Sequence, residues 1–222
     1  MADHAMAIPR FLWWGFKRAS WVERAIVVTG LLLLLGLVWP AEDSGAAVGT
    51  LAWDNPSQPF EFSGSGWADL GDDEDRYQSA VSTAVTTWSD RTDYSPWITV
   101  GESDNDIHWG SQPSGWGSSC RRPTGSGGSW AIECTKKYSG TSEISESDIV
   151  FNKDKSWDTL LVEGIAAHEF GHSGGLVHDT RSECNALSDT ERYTMCPGGT
   201  VAQKKEKRSL TSHDITDMNS KY

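Results

Sequence analysis

The chain reads as an α+β domain, and three features predict this. Residues 72–91, DDEDRYQSAVSTAVTTWSDR, place Tyr77, Ala80, Val81, Ala84, Val85 and Trp88 at i, i+3, i+4, i+7, i+8 and i+11, one face of a helix. Five short segments of β character are spread over the chain, at residues 60–67, 97–100, 107–109, 130–135 and 148–151. Two more helices follow, one starting near Asp158 and one over the last dozen residues.

The N-terminal stretch stands apart from that domain. Residues 25–39, AIVVTGLLLLLGLVW, form an apolar run of fifteen, shorter than the roughly 20 residues a helix needs to span a bilayer. Arg10, Lys17, Arg18 and Arg24 precede it. Pro40 and the small residues SGAAVG follow, with Ala46 and Ala47 offering cleavage positions. A basic start, a short apolar middle and a small-residue exit describe a secretory signal peptide over residues 1–47. The alternative is an uncleaved membrane anchor, since Trp13, Trp14 and Trp21 suit a membrane interface. Either way residues 48–222 are expected outside the cell as one compact domain. The first 47 residues carry four basic and four acidic side chains, so the remaining 175 keep the full net charge of −12. Such an acidic globule repels phosphate backbones, and nucleic-acid binding is not expected.

Along the domain, FEFSGSGW at 60–67 alternates weakly and opens the sheet. The acidic run Asp72–Asp75 stands at the N-terminus of the first helix, where the helix dipole favours negative charge. That role accounts for it without calcium, for which no motif argues. The stretch SQPSGWGSSCRRPTGSGGS, rich in Gly, Ser and Pro, cannot be regular structure. In the second helix Leu161, Ile165 and Phe170 are candidates for the buried side. Ser212 can cap the last helix, which carries Ile215, Met218 and Tyr222. The run KKEKR at 204–208 reads as a solvated loop. Cys120, Cys134, Cys184 and Cys196 form an even set without a CxxC pair. In an oxidising compartment they should pair, and of three connectivities Cys120–Cys134 with Cys184–Cys196 is preferred because each closes a short polar loop.

Residues 168–178, HEFGHSGGLVH, hold three of the six histidines. His168 and His172, four apart on a helix, project from one face and can reach one metal ion. Glu169 lies about 100° further round, beside the ion, where it can take a proton from a water. Gly174 and Gly175 permit a left-handed turn that ends the helix, and the returning chain can bring His178 back as third ligand. Three neutral imidazoles with an open fourth position describe a catalytic zinc.

This segment resembles the long zinc signature HExxHxxGxxH of the metzincin metallopeptidases. Met195 in YTMCPGG, seventeen residues beyond His178, is similar to the Met-turn of that clan. Matrixin-like enzymes are nearest. FNKDKSW looks like their last strand and its exit, and SLTSHDITDMNSKY resembles their closing helix. The resemblance implies a mixed, mostly parallel, five-stranded twisted sheet with an N-terminal helix, an active-site helix and a C-terminal helix. It also implies that Met195 is an apolar floor beneath the histidines and not a ligand. The strand containing Trp130, Ala131 and Ile132 would be the sheet edge that binds substrate as an added antiparallel strand. The alternative is an ordinary edge strand pinned by Cys134. Two departures stand out. No PRCGxPD-like segment is present, so latency by a cysteine switch is not carried over. Nothing matches the structural-zinc loop of those enzymes either, and His108 in IHW reads as a strand histidine.

The expected activity is peptide-bond hydrolysis by a zinc-activated water, with one catalytic Zn2+ held by His168, His172 and His178. Glu169 serves as general base and then as acid toward the leaving amine. The expected partner is a peptide or protein substrate, with membrane contact only through an uncleaved N-terminal segment, and the chain is expected as a monomer. Two other classes remain: a zinc hydrolase acting on a non-protein amide, and a non-catalytic binding protein with a retained zinc site.

Overall fold

The computed structural model describes residues 49–222 apart from 102, 112, 114, 117–119 and 189–192. The expected signal peptide over residues 1–47 lies outside the described residues.

Five strands form one sheet: β1 (Ser57–Ser63), β2 (Ser95–Ile98), β3 (Asp106–Trp109), β4 (Ala131–Lys137) and β5 (Ile144–Phe151). Their order is β2-β1-β3-β5-β4. β1 runs parallel to β2 and β3, and β3 runs parallel to β5. β4 alone is antiparallel, pairing with β5 from Ala131↔Phe151 to Lys137↔Ile144. This is the mixed, mostly parallel sheet expected, with boundaries moved by up to four residues. The first strand starts at Ser57 and ends at Ser63, so Trp67 lies beyond it, and Trp130 precedes β4.

A 3-10 turn at Ala68–Asp73 leads into α1 (Glu74–Ser89). All six residues of the expected helical face, Tyr77 to Trp88, are buried. Asp73 occupies the N-cap without a side-chain capping bond and instead accepts from Arg76, so the acidic run acts through its charge. α2 (Thr159–Ser173) begins where Asp158 accepts from the Leu161 N–H at 3.0 Å. Leu161, Ile165 and Phe170 are buried as expected, and so is most of the rest of this helix.

Three short helices complete the domain: α3 (Arg181–Ala186), α4 (Val201–Glu206) and α5 (Ser212–Asn219). Each starts with a capping box, on Thr180, Thr200 and Thr211. Thr211, not Ser212, therefore caps the last helix. Only Thr211 has the extended backbone that lets its hydroxyl turn back to the Asp214 N–H. The run 204–208 is not a solvated loop. Its first half is helical, Lys205 pairs with Asp158 at 2.5 Å, and Lys207 is only 2% exposed.

Alternation along the strands gives the sheet two different faces. Ile107, Trp109, Ile149 and Phe151 point to α1 and α2 and join the main core. Phe60 meets Phe170 edge-on at 5.1 Å. Indole N–H groups tie the layers together: Trp88 donates to Ala167 O at 2.8 Å, Trp67 to Ile107 O at 2.7 Å and Trp53 to Ser173 O at 2.8 Å. On the other face Val150 and Ile132 pack with Trp116 and the Cys120–Cys134 disulfide in a second apolar cluster. That disulfide fastens the Gly/Ser-rich stretch to β4. The other expected bridge, Cys184–Cys196, is also formed. Among the described residues no helix is long and apolar enough to cross a membrane.

Candidate metal centre

α2 brings His168 and His172 to one face, and the chain then reverses. Gly174 closes the helix with φ −75, so only Gly175, at φ +86, takes the left-handed conformation. A side chain at Gly175 would also meet Leu51 O, its Cβ lying only 2.2 Å away. The reversal returns His178 to the helix. Its Nε2 lies 3.2 Å from that of His168 and 3.1 Å from that of His172.

The other ring nitrogens define the chemistry of this trio. His168 Nδ1 donates to Thr194 O at 2.6 Å, and His172 Nδ1 donates to Leu176 O at 2.9 Å. Both rings therefore carry their proton on Nδ1 and turn an Nε2 lone pair toward His178. A tetrahedral ion with bonds of about 2.0 Å separates its nitrogen ligands by about 3.3 Å, close to the spacing found. Burial lowers all three basicities. It takes His172 to about 4 and His168 well below its usual value, with the Lys207 charge adding to the effect at each. Three neutral imidazoles with convergent lone pairs suit a zinc ion.

The loop beyond His178 fixes the trio from below. Thr194 O takes the His168 proton, while Met195 O accepts from the Asp179 N–H at 3.1 Å. Met195 itself is fully buried in the main core. Asp214, in the first turn of α5, accepts from the Thr194 and Met195 N–H groups at 3.2 and 3.3 Å. Cys196 joins the same turn to α3 through Cys184.

A cleft runs past the histidines. Trp130, Ala131, Ile132, Ile165, Glu169, Gly198, Lys204 and Lys207 line it together with them. Among the described residues β4 pairs only with β5, so the cleft borders a sheet edge. Glu169 is 6% exposed and accepts from the Glu133 N–H. Burial and then the Glu133 carboxyl push Glu169 up to about 8, against the pull of Lys207.

Three features here lie outside what the motifs indicate. Glu133 lines the cleft and is raised to about 7 by burial, although Ser147 and Thr135 both donate to it. Its place between Ile132 and Cys134 in the expected edge strand is its only trace in the sequence. Lys207 donates to Cys196 O and stands 3.3 Å from His168 Nδ1. Asp214 lies in the segment that resembles a closing helix, and nothing in that segment indicates its bonds to the Met195 turn.

The sequence profile of the Matrixin peptidase family matches residues 53–222. The chain is a matrixin. Among individually curated proteins, none matches it. Membership makes this matrixin a zinc metalloendopeptidase acting on peptides or proteins, with the fold expected from its zinc signature. In this matrixin, His168, His172 and His178 form a group that could bind the metal.

Proposed function

We propose that the chain hydrolyses internal peptide bonds of proteins outside the cell, with residues 48–222 as its catalytic domain. His168, His172 and His178 would hold the zinc, which supplies Lewis acidity toward a water and toward the scissile carbonyl. The observation that carries this reading is the convergence of three Nε2 atoms while His168 and His172 give their Nδ1 protons to backbone carbonyls.

Glu169 takes the proton of the attacking water and passes it to the leaving nitrogen. A buried carboxylate with raised proton affinity, steadied by the Glu133 N–H, suits both halves of that transfer. The substrate lies extended along Trp130, Ala131 and Ile132, bonded through its main chain to the free edge of β4. Met195 keeps an apolar floor under the histidines while its turn holds His168 and Asp179 through carbonyls. Residues 1–47 deliver the domain across the membrane and are then removed, or else retained as an anchor.

Digestion of unfolded casein tests the reading. Cleavage is expected from the purified protein, loss of cleavage with a chelator, and recovery on adding zinc. Cleavage that persists after the metal is removed, or no cleavage with zinc bound, refutes it.

A further inference from the structure

Glu133 and His172 line two cavities at once: the cleft already described and a second cavity of about 310 Å³. Along β4, Ile132 and Cys134 turn to the Trp116 cluster, while Ala131 joins the main core. Alternation therefore sets Glu133 and Thr135 on the α2 side. Thr135 Oγ1 and Ser147 Oγ both donate to Glu133 Oε1, the second at 2.6 Å. Among the described residues nothing bonds Oε2, and that atom is not closed off from solvent. It opens on the cavities that Glu133 lines. The ion pairs of lysine and arginine among the described residues all lie elsewhere.

The second cavity differs from the first in its charged lining. Lys204 and Lys207 line the first and not the second, where Glu133 is the one carboxyl among the described residues. Lys221 donates to Gly49 O and is not part of that lining. Leu51, Leu176 and Val177 give the second cavity apolar walls.

We propose that Glu133 selects substrates carrying a lysine or arginine shortly before the cleaved bond, an inference that rests on the peptidase reading above. A strand added antiparallel to β4 runs against it, so residues before the cleaved bond lie toward Thr135 and those after it toward Trp130. Thr135 lines the second cavity and Trp130 the first. A long basic side chain can lay its methylenes on Leu51, Leu176 and Val177 while its charged head reaches the carboxylate. Burial raises Glu133 to about 7, and a cation at Oε2 offsets that cost and keeps the group ionised. With Oε1 engaged by two hydroxyls, Oε2 is a single acceptor, so the bidentate fork of arginine has no advantage over lysine. The net charge of −12 draws cationic segments toward the domain as a whole.

The test is kcat/KM of the zinc-loaded full chain on peptides that carry Lys, Arg, Gln or Glu at each position before the cleaved bond. At one of those positions Lys and Arg should exceed Gln at least about ten-fold, with Glu poorest. Glu133→Gln should bring the ratio of Lys to Gln peptides close to one. Any change in basal rate cancels from that ratio. If that variant fails to fold, Val177→Lys, at a position 44% exposed in the same cavity, should lower the ratio by placing a competing ammonium there. Cleavage without a basic preference before the bond, a basic preference only after it, or a ratio that survives Glu133→Gln overturns the proposal and leaves the peptidase reading standing. No cleavage of any peptide by the zinc-loaded chain overturns both.

Discussion

Replacing Gly164 with alanine tests how α4 sets the cleft. Gly164 lies within α2, one position before Ile165 of the cleft lining. A Cβ there would stand 2.0 Å from Lys204 O, 3.1 Å from Lys204 C and 3.3 Å from Lys205 Cα, all backbone atoms of α4. Contacts below 3.0 Å are not sustained, so α4 must retreat by at least 1.0 Å. The gain in helix propensity is about 1 kcal/mol. Overpacking against main chain that cannot rotate away costs about 1–3 kcal/mol. The net expectation is a loss of up to about 2 kcal/mol, or a fall of up to a few degrees in Tm for a domain of this size. The larger effect is on catalysis. Lys204 and Lys207 line the cleft with Trp130, and a displacement near 1 Å can lower kcat/KM by up to about 10²-fold. Zinc content should not change, because the histidines are held by Thr194 O and Leu176 O, which lie outside α4. Thermal melts, metal analysis and peptide kinetics on Gly164→Ala read these three effects separately. A variant more stable than the parent with unchanged kcat/KM would refute the reasoning.

Glu169→Ala should keep its zinc and lose about 10²–10⁴ in turnover, whereas His172→Ala should lose the three-histidine zinc and the activity together; metal analysis beside a peptide assay distinguishes them. Opening the Cys184–Cys196 bridge by Cys184→Ser removes a closure over twelve residues. About 3 kcal/mol of stability should go with it, along with activity, since Cys196 follows Met195 directly; a denaturant titration of the variant measures the first. Asp158→Ala should cost about 1 kcal/mol as a lost N-cap. Burial raises the Asp158 pKa, but Lys205 and the Leu161 N–H outweigh it and hold the carboxyl below its usual value. Its contribution is therefore present above the ordinary carboxylate range and lost as pH falls through the depressed value. Urea midpoints from pH 2 to 6 should converge for parent and variant at the acid end, and a constant gap across that range would contradict the assignment.

Local patterns carried most of the centre. The i, i+4 spacing of His168 and His172 holds in any helix, and the reversal at Gly175 needs only one residue at ease with positive φ. The buried face of α1 follows from the 3.6-residue period alone, and all six of its residues are internal. Short loops between cysteines made the two disulfides legible, because closing a short loop restricts the chain little.

What the sequence left open depends on backbone angles and on partners distant along the chain. Thr211 and Ser212 are equally good caps by type, and only the extended backbone at Thr211 aims a hydroxyl at Asp214. Lys207 belongs to a charged run that would be solvated in isolation. It is buried because the helix capped by Thr200 packs on α2 at Gly164 and turns that ammonium toward Cys196 O. Glu133 looks like any residue of an edge strand until β4 is set against α2 and its N–H reaches Glu169. By itself, then, the sequence picked out the candidate ligands, the candidate base and the helices that carry them, since local periodicity and short loops set those. The tertiary structure decided which charged groups are buried around them, because burial depends on contacts between segments far apart in the chain.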